Sequence, residues 1–468
     1  MTRIAIIGGG ISGLSTAHAV ERLAAEAGLE VSITLFEKEQ RLGGKIWSRK
    51  EGGFLCEWGP NGFLDSKPMT LELCDRLGIG ERLQRSDDNA RKRFIYADGT
   101  LHRLPENGPP FLKSKLISWP GKIRLACEPF IPAKRDDEDE TLANFARRRL
   151  GAEALDKPIG PMLSGIFAGD PETMSLKSCF PRIHQLETEY GGLIKAMVRL
   201  AKEKKAERKA GKAVASAAGP GGVLTSFVDG IQELTDATSE RLSGTIQLAS
   251  GVSEITPHDG GYTLTLENGG HVETELVISA APSYALSQML RACDGDIADL
   301  LDLIPYAPMN VVCFGYERER IDYDLNGFGY LIAKKEKRST LGTLWDSSIF
   351  PHRAPEGQVL LRSMMGGATD TASIALSEEE VADKVKTDLR QIMGITAEPD
   401  FIRIFRHDRA IPQYISGHGQ RLQSLEEKVA THPGLFITGN AFYGVGLNDC
   451  VNASNQVAQK TIDYLQNR

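Results

Sequence analysis

The sequence predicts a mixed α/β and α+β protein built around a dinucleotide-binding domain whose parts are far apart in the chain. Three observations carry this. Residues 4–17, "IAIIGGGISGLSTA", read as a buried strand, a glycine turn and a helix start. Residues 436–454, "FITGNAFYGVGLNDCVNAS", repeat that pattern near the other end. Between them lie period-two stretches such as "GYTLTLENGGHVETELVISAAP" and "MNVVCFGYE", the signature of half-buried strands.

Taken in order, "RIAII" (3–7) is a short run rich in branched side chains, as in a parallel strand covered on both faces. Gly8, Gly10 and Gly13, with Ile11 and Ser12 between the last two, match G-x-G-x-x-G. The first glycine permits a tight turn, the second lets a pyrophosphate reach the backbone, and the third lets the helix pack on the strand. The helix carries Leu14, Ala17, Val20 and Leu23 on one stripe and ends near Gly28. A second strand, "VSITLFE", ends at Glu37, the position from which an acid binds ribose hydroxyls. Lys38 follows, then Arg41, Gly43, Gly44 and Lys45. An isolated Gly-Gly is a surface turn. Beside Glu37, however, R-x-G-G-[KR] resembles the second FAD-contacting motif of amine-oxidase-like flavoproteins, which favours FAD over NAD.

Beyond a turn-rich stretch with Gly59, Pro60 and Asn61, the pattern becomes helical over about 69–85. Residues 105–132 mix Phe111, Leu112, Leu116, Ile117 and Trp119 with Lys113, Lys115, Lys122 and Arg124. That composition suits either an interfacial membrane patch or a helical cap over a cavity. "RDDEDETLANFARRRLG" reads as a capped, solvated helix with acids at its start and Arg147 to Arg149 at its end. "KEKKAERKAGKAVASAAGPGG" (202–222) is a basic helix end fading into a linker. Asn268–Gly269 predicts a hairpin, "LVISAAP" a buried strand, and "SEEEVADKVKTDLRQIMG" a helix among strands. The resulting division assigns 1–70, 225–290 and 426–468 to an FAD-binding domain and 71–200 to a mainly helical cap or membrane-associating domain. Residues 201–224 form a linker, and 291–425 a mixed-sheet substrate-binding domain.

Composition narrows the function. A net charge of −7 over 468 residues argues against nucleic acid, which is bound through clustered cations. Seven scattered cysteines without CxxC spacing suggest neither a disulfide framework nor a zinc site, and fit a reducing cytoplasm. No apolar run approaches the roughly 18 residues of a membrane span, and "MTRIAIIGGG" is not a signal peptide. No acid/base pair, nucleophile or metal cluster emerges. His407 and His418, near "IPQY", read as structural rather than catalytic.

With these motifs in view, the chain resembles the oxygen-dependent protoporphyrinogen oxidase family essentially end to end. The resemblance rests on "EWGPNGFL", "RFIYADG", "LSGIFAGDPETMSLKSCFP", "GFGYLI", "TLGTLWDSSIFP", "IPQYISGH" and "GVGLNDC". It implies a glutathione-reductase-like FAD domain, a substrate domain and a superficially membrane-associated helical domain on the inner face of the cell membrane. It also implies FAD-dependent oxidation of protoporphyrinogen IX to protoporphyrin IX with oxygen as acceptor, by a protein that a homodimer would suit. Val252 would meet adenine; Gly59, Pro60, Asn61, Ala281, Gly439, Asn440, Gly446, Leu447 and Asn448 would line the rest of the flavin. Arg93 would hold a substrate carboxylate, Leu331, Leu344 and Met364 the macrocycle, and Gly165, Phe167 and Gly169 the loop over one pyrrole. Three other readings stay open: coproporphyrinogen III oxidation, a flavin amine oxidase, and a non-catalytic prenyl-protein escort on the same fold.

Overall fold

A computed structural model describes residues 1–105, 108–209 and 222–468. Its organising element is a five-stranded parallel sheet in the spatial order 245–247, 31–36, 2–7, 276–279, 435–437. Segments more than 400 residues apart in the chain thus share one sheet, as the two glycine turns predicted. Alternation along Thr2–Ile7 sorts the core. Ile4 and Ile6 pack with Leu14, Ala17 and Val20 of helix Ile11–Glu26 and with Val457 and Ile462 of helix Leu447–Gln466. Ala5 and Ile7 face the other way, against Ile255 and Leu264 of a three-stranded antiparallel sheet. Burying both faces explains why the opening strand has no polar alternation.

The second large unit is a seven-stranded sheet in the order 401–412, 306–317, 358–366, 340–344, 329–332, 93–97, 100–103. One face packs on helix Glu378–Met393, whose Val381, Val385 and Leu389 meet Phe314, Tyr316, Tyr330 and Trp345. Ser377 and Glu380 form a capping box at the start of that helix. The Asn268–Gly269 hairpin forms as predicted, with Gly269 at φ 84°.

Four expectations change. Residues 93–103, placed in the helical segment by sequence, supply two strands to the sheet that 306–412 builds. The helix predicted over 69–85 stops at Leu77, because Gly78 turns left-handed at φ 70°, and 83–85 pair with 224–227 as a strand. The acids of 136–140 precede their helix, which starts only after the Thr141 cap and spans Leu142–Arg149. Nor is that helix merely solvated, since Arg149 is wholly buried. As for the linker, 201–209 complete helix Leu193–Lys209, and 210–221 lie outside the described residues.

Candidate functional site: the carboxyl edge of the parallel sheet and the face of the seven-stranded sheet

Register places the first site. Ile7 lies opposite both Phe36 and Ser279, and Ser279 opposite Ile437. Gly8, Glu37, Ala281 and Gly439 therefore all leave the sheet at one edge, the carboxyl edge, where open α/β sheets bind ligands. Helices Ile11–Glu26 and Leu447–Gln466 both begin at this edge, after Gly10 and Gly446, and offer free backbone N–H groups there. The Ser454 hydroxyl donates to the Ser12 carbonyl at 2.9 Å and ties the two helices together.

The glycines here are required by space. A Cβ on Gly13 would stand 1.9 Å from the Gly8 carbonyl oxygen, and one on Gly59 2.1 Å from the Lys45 carbonyl oxygen. Gly10 and Gly43 form a parallel bridge, with the Gly43 N–H donating to the Gly9 carbonyl at 2.8 Å, so the two glycine loops lie side by side. The Glu37 carboxylate is buried and fixed by the N–H groups of Gly9 (2.7 Å) and Glu39 (2.8 Å). Ala249 and Ser250 donate to the Glu39 and Glu37 carbonyls, which brings buried Val252 to the same end. Arg41 stacks on Trp47 and Trp58 and holds the second glycine loop through the Gly44 carbonyl at 2.7 Å. The half-buried Lys45 donates to the Ala410 carbonyl and sits 5.2 Å from the Tyr306 ring centroid; burial pushes its ammonium down to about 8.

Some predicted cofactor residues have other duties. Lys38 is exposed and paired with Glu39 at 3.4 Å, so its side chain is not brought to the cradle. Asn448 accepts from the Thr70 N–H (3.1 Å) and donates to the Leu64 carbonyl (3.0 Å), leaving only its backbone for a ligand. Asn61 is gripped by Arg353 and donates to Asp346 at 3.1 Å; its carboxamide ties the 59–61 turn to the start of helix Asp346–Ile349. Ile11 and Leu447 face a core with Ile46 and Phe227.

The second site is a sheet face. Residues directly opposite across a sheet share a face, as do residues two apart along a strand. Arg93 lies opposite Gly329, Gly329 opposite Leu344, Leu331 opposite Gly342 and Gly342 opposite Met364. Arg93, Leu331, Leu344 and Met364 therefore share the face away from helix Glu378–Met393. Helix Gly160–Phe167 covers part of it, and a Cβ on Gly165 would stand 3.0 Å from the Leu331 methyl groups. Arg93 is exposed at the rim over the Phe328 ring (5.1 Å), with no carboxylate paired to it among the described residues. Phe167 is turned away. Its ring packs with Phe180 and Tyr414, and only its carbonyl, bound by Gln413 at 2.8 Å, remains near the loop. Gly169 abuts the Gln413 carboxamide, whose oxygen would lie 2.9 Å from a Cβ there.

Sequence reasoning passed over Tyr414. Its hydroxyl donates to the Asn440 carbonyl (2.6 Å) and accepts from the Gly444 N–H (2.8 Å), so it shapes the turn before the closing helix. Its ring stacks on His418 at 4.1 Å. The quoted phrase "IPQYISGH" contained both residues, but only the fold shows which turn they support. Burial lowers His418 and His407 to about 4; His407 stacks on Trp58 and contacts its carbonyl. Both stay neutral packing groups at ordinary pH, and no metal-ligand cluster occurs among the described residues.

The profile of flavin-containing amine oxidoreductases matches residues 11–462. The chain is 32% identical to the coproporphyrinogen III oxidase of Bacillus subtilis, over 99% of this chain and 98% of that one. It is 34% identical to the chloroplastic protoporphyrinogen oxidase of Oryza sativa subsp. japonica, over 98% of this chain and 88% of that one. A crystal structure from Exiguobacterium sp. 255-15, provisionally described as a protoporphyrinogen oxidase, superposes with TM-score 0.84 at 27% identity, covering 99% of each chain. The paired glycine loops, the fixed Glu37 and the two helix starts fit the pyrophosphate and ribose of FAD. The chain belongs to the flavin-containing amine oxidoreductases and, within them, groups with the porphyrinogen-oxidising enzymes as an FAD-dependent oxidoreductase.

Proposed function

We propose that this protein oxidises a porphyrinogen to the corresponding porphyrin, a step of haem biosynthesis, with molecular oxygen as electron acceptor; the sequence reading puts protoporphyrinogen IX first as substrate and coproporphyrinogen III as its alternative. The observation that carries this reading is the sheet face with Leu331, Leu344 and Met364 beside Arg93, which has no carboxylate partner among the described residues. An apolar disc edged by carboxylates needs such a surface, and a guanidinium can pair a carboxylate through two donors. When bound, FAD supplies the two-electron acceptor for hydrogen leaving the macrocycle. The protein positions: Arg93 orients the disc by one edge, Leu344 and Met364 line the sheet face under it, and Leu331, packed against Gly165, closes one end of that face. The working division is an FAD-binding part (1–70, 225–290, 426–468), a helical part within 71–200 and a substrate part around 291–425 to which 93–103 are added.

Arg93→Ala is expected to raise KM for the porphyrinogen about tenfold with kcat little changed, because it removes binding common to ground and transition states. Steady-state porphyrin fluorescence measures this, and an unaltered KM rejects the anchoring role. Aerobic assay of both porphyrinogens tests the reading itself; a flavin-loaded protein inert toward each of them ends it.

The lowered Lys45 gives a pH dependence. Its folded value, about 8, lies below the unfolded 10.5, so above pH 8 the folded apo-protein releases a proton that the unfolded chain keeps. Its stability then rises with pH through that window. An anionic cofactor favours charged Lys45, so FAD affinity should fall as pH rises past about 8. Titrating apo-protein with FAD on both sides of that value should show the fall in the native protein and a flat profile in Lys45→Met.

We also infer a peripheral membrane contact. No helix among the described residues is long and apolar enough to cross a membrane. Yet Leu112, Trp119, Ile123 and Phe130 are 56%, 64%, 62% and 84% exposed, and Lys122 links the first two through the Leu112 carbonyl and the Trp119 ring. Lys122 is itself buried, but the exposed Lys113 and Lys115 flank the patch, and such an arrangement suits the interface of an anionic bilayer. Co-sedimentation with anionic vesicles, lost in Trp119→Ser/Ile123→Ser, is the expected result; equal sedimentation of the variant rejects it.

A further inference from the structure

The sheet face that carries Arg93 carries a second guanidinium. Leu344 lies opposite Arg362, so Arg93, Gly329, Leu344 and Arg362 form one cross-strand row on one face. Arg362 is also two residues from Met364 on the same strand and therefore on its side of the sheet. Three strand spacings separate the ends of this row, about 14 Å between backbones. The apolar groups between and beside them are Leu331, Leu344 and Met364.

The two cations differ in setting. Arg93 is at the exposed rim, whereas Arg362 is only 4% exposed. Arg362 donates to the Gly59 carbonyl, in the turn that approaches Lys45, and so stands at the cofactor side of the face. Its Nε–H has no acceptor, and no carboxylate lies within ion-pair distance of it among the described residues. The nearby acids are engaged. Glu57 and Asp346 both pair with buried Arg353, at 3.1 and 3.6 Å, and Ser48 and the Ile231 N–H also bind Glu57. A buried cation with a free donor and no anion is costly, and it is stabilised by an anion arriving from outside.

Building on the porphyrinogen reading above, we propose that Arg362 is a second carboxylate anchor, and that the slot is built for a porphyrinogen bearing carboxylates at opposite edges, as coproporphyrinogen III does. The row length is comparable to the width of a tetrapyrrole with side-chain carboxylates on both edges. With one edge at Arg93 and the disc over the Leu and Met side chains, the opposite edge reaches Arg362. Protoporphyrinogen IX, with vinyl groups at that edge, leaves the inner guanidinium unpaired, and a site built to bind a polar group discriminates against a ligand lacking it.

The test compares the flavin-loaded native enzyme, Arg362→Met and Arg362→Lys on both porphyrinogens, together with binding of coproporphyrin III and protoporphyrin IX by fluorescence quenching. In Arg362→Met the ratio of kcat/KM values, coproporphyrinogen over protoporphyrinogen, should fall about tenfold or more, mainly through KM for the former. Coproporphyrin III binding should weaken in parallel. Arg362→Lys keeps the charge but loses the fork, so it should show a smaller fall in the same direction. If both substrates lose activity equally while the melting temperature drops, Arg362 is only a counter-charge for Glu57 and Asp346, and the proposal is overturned. An unchanged ratio in Arg362→Lys overturns it even where Arg362→Met does not fold. A native enzyme that oxidises neither substrate fails the functional reading instead.

Discussion

Gly13→Ala should yield a protein purified without bound flavin. A single methyl group suffices because it would stand 1.9 Å from the Gly8 carbonyl oxygen, a backbone atom unable to rotate aside. Helix Ile11–Glu26 would have to lift from its strand, and the turn holding Gly8, Gly9 and Gly10 would open with it. That turn supplies the Gly9 carbonyl bonded by Gly43 and the Gly9 N–H bonded to Glu37, so both glycine loops and the Glu37 carboxylate lose registry together. The loss of FAD should exceed what one weakened contact would cause, at least a hundredfold in affinity if about 3 kcal/mol of positioning is forfeited. Gly295→Ala is the matching control, because open space surrounds its Cβ position and its backbone is not left-handed. Visible absorbance after gel filtration reads both variants. Yellow Gly13→Ala protein with native FAD affinity would contradict the cradle.

Arg149→Ala should destabilise the helical part by about 3–5 kcal/mol, the range for removing one partner of a buried pair. Arg149 and Glu128 are fully buried, and the guanidinium spends its donors on five acceptors. It binds Glu128 at 2.8 Å, Glu187 at 2.9 Å, the Ile131 and Pro132 carbonyls at 3.2 Å each, and the Gly191 carbonyl at 3.1 Å. Glu128 in turn accepts the N–H groups of Leu193 and Ile194 and so starts helix Leu193–Lys209. Burial alone would raise the Glu128 carboxyl; those two N–H groups and Arg149 outweigh it and hold it below the ordinary value. Its contribution is therefore present above the unfolded carboxylate range and lost as pH falls through the lower folded value. Arg149→Lys should recover little, since one ammonium cannot span acceptors on several elements. Denaturant unfolding followed by far-UV circular dichroism measures the loss; a midpoint shift worth less than about 1 kcal/mol, the scale of a surface pair, would refute it.

The sequence by itself was sufficient for the parts whose chemistry is local. Gly8, Gly10 and Gly13 stand in a turn whose spacing states its own purpose, and strand, helix and acid follow within one short unit ending at Glu37. The closing turn before Leu447 is local in the same way, and so is the capping box at Ser377. Pattern also marked 93–97, "RFIYA", as part of a family phrase, but not as a strand of the sheet built by 306–412, because pairing partners more than 200 residues away leave no trace in local periodicity. Arg149 shows the same limit from the other side. Among Arg147, Arg148 and Arg149 composition sees three equal surface cations, and only packing against Glu128, Glu187 and the Ile131 carbonyl selects one for burial. Tertiary structure likewise turned Phe167 into a core residue and joined Arg93 and Arg362 in one row across four strands. The difference is physical. A turn is specified by the conformational freedom of the residues in it, whereas a shared face is specified by register, which exists only once distant strands have paired.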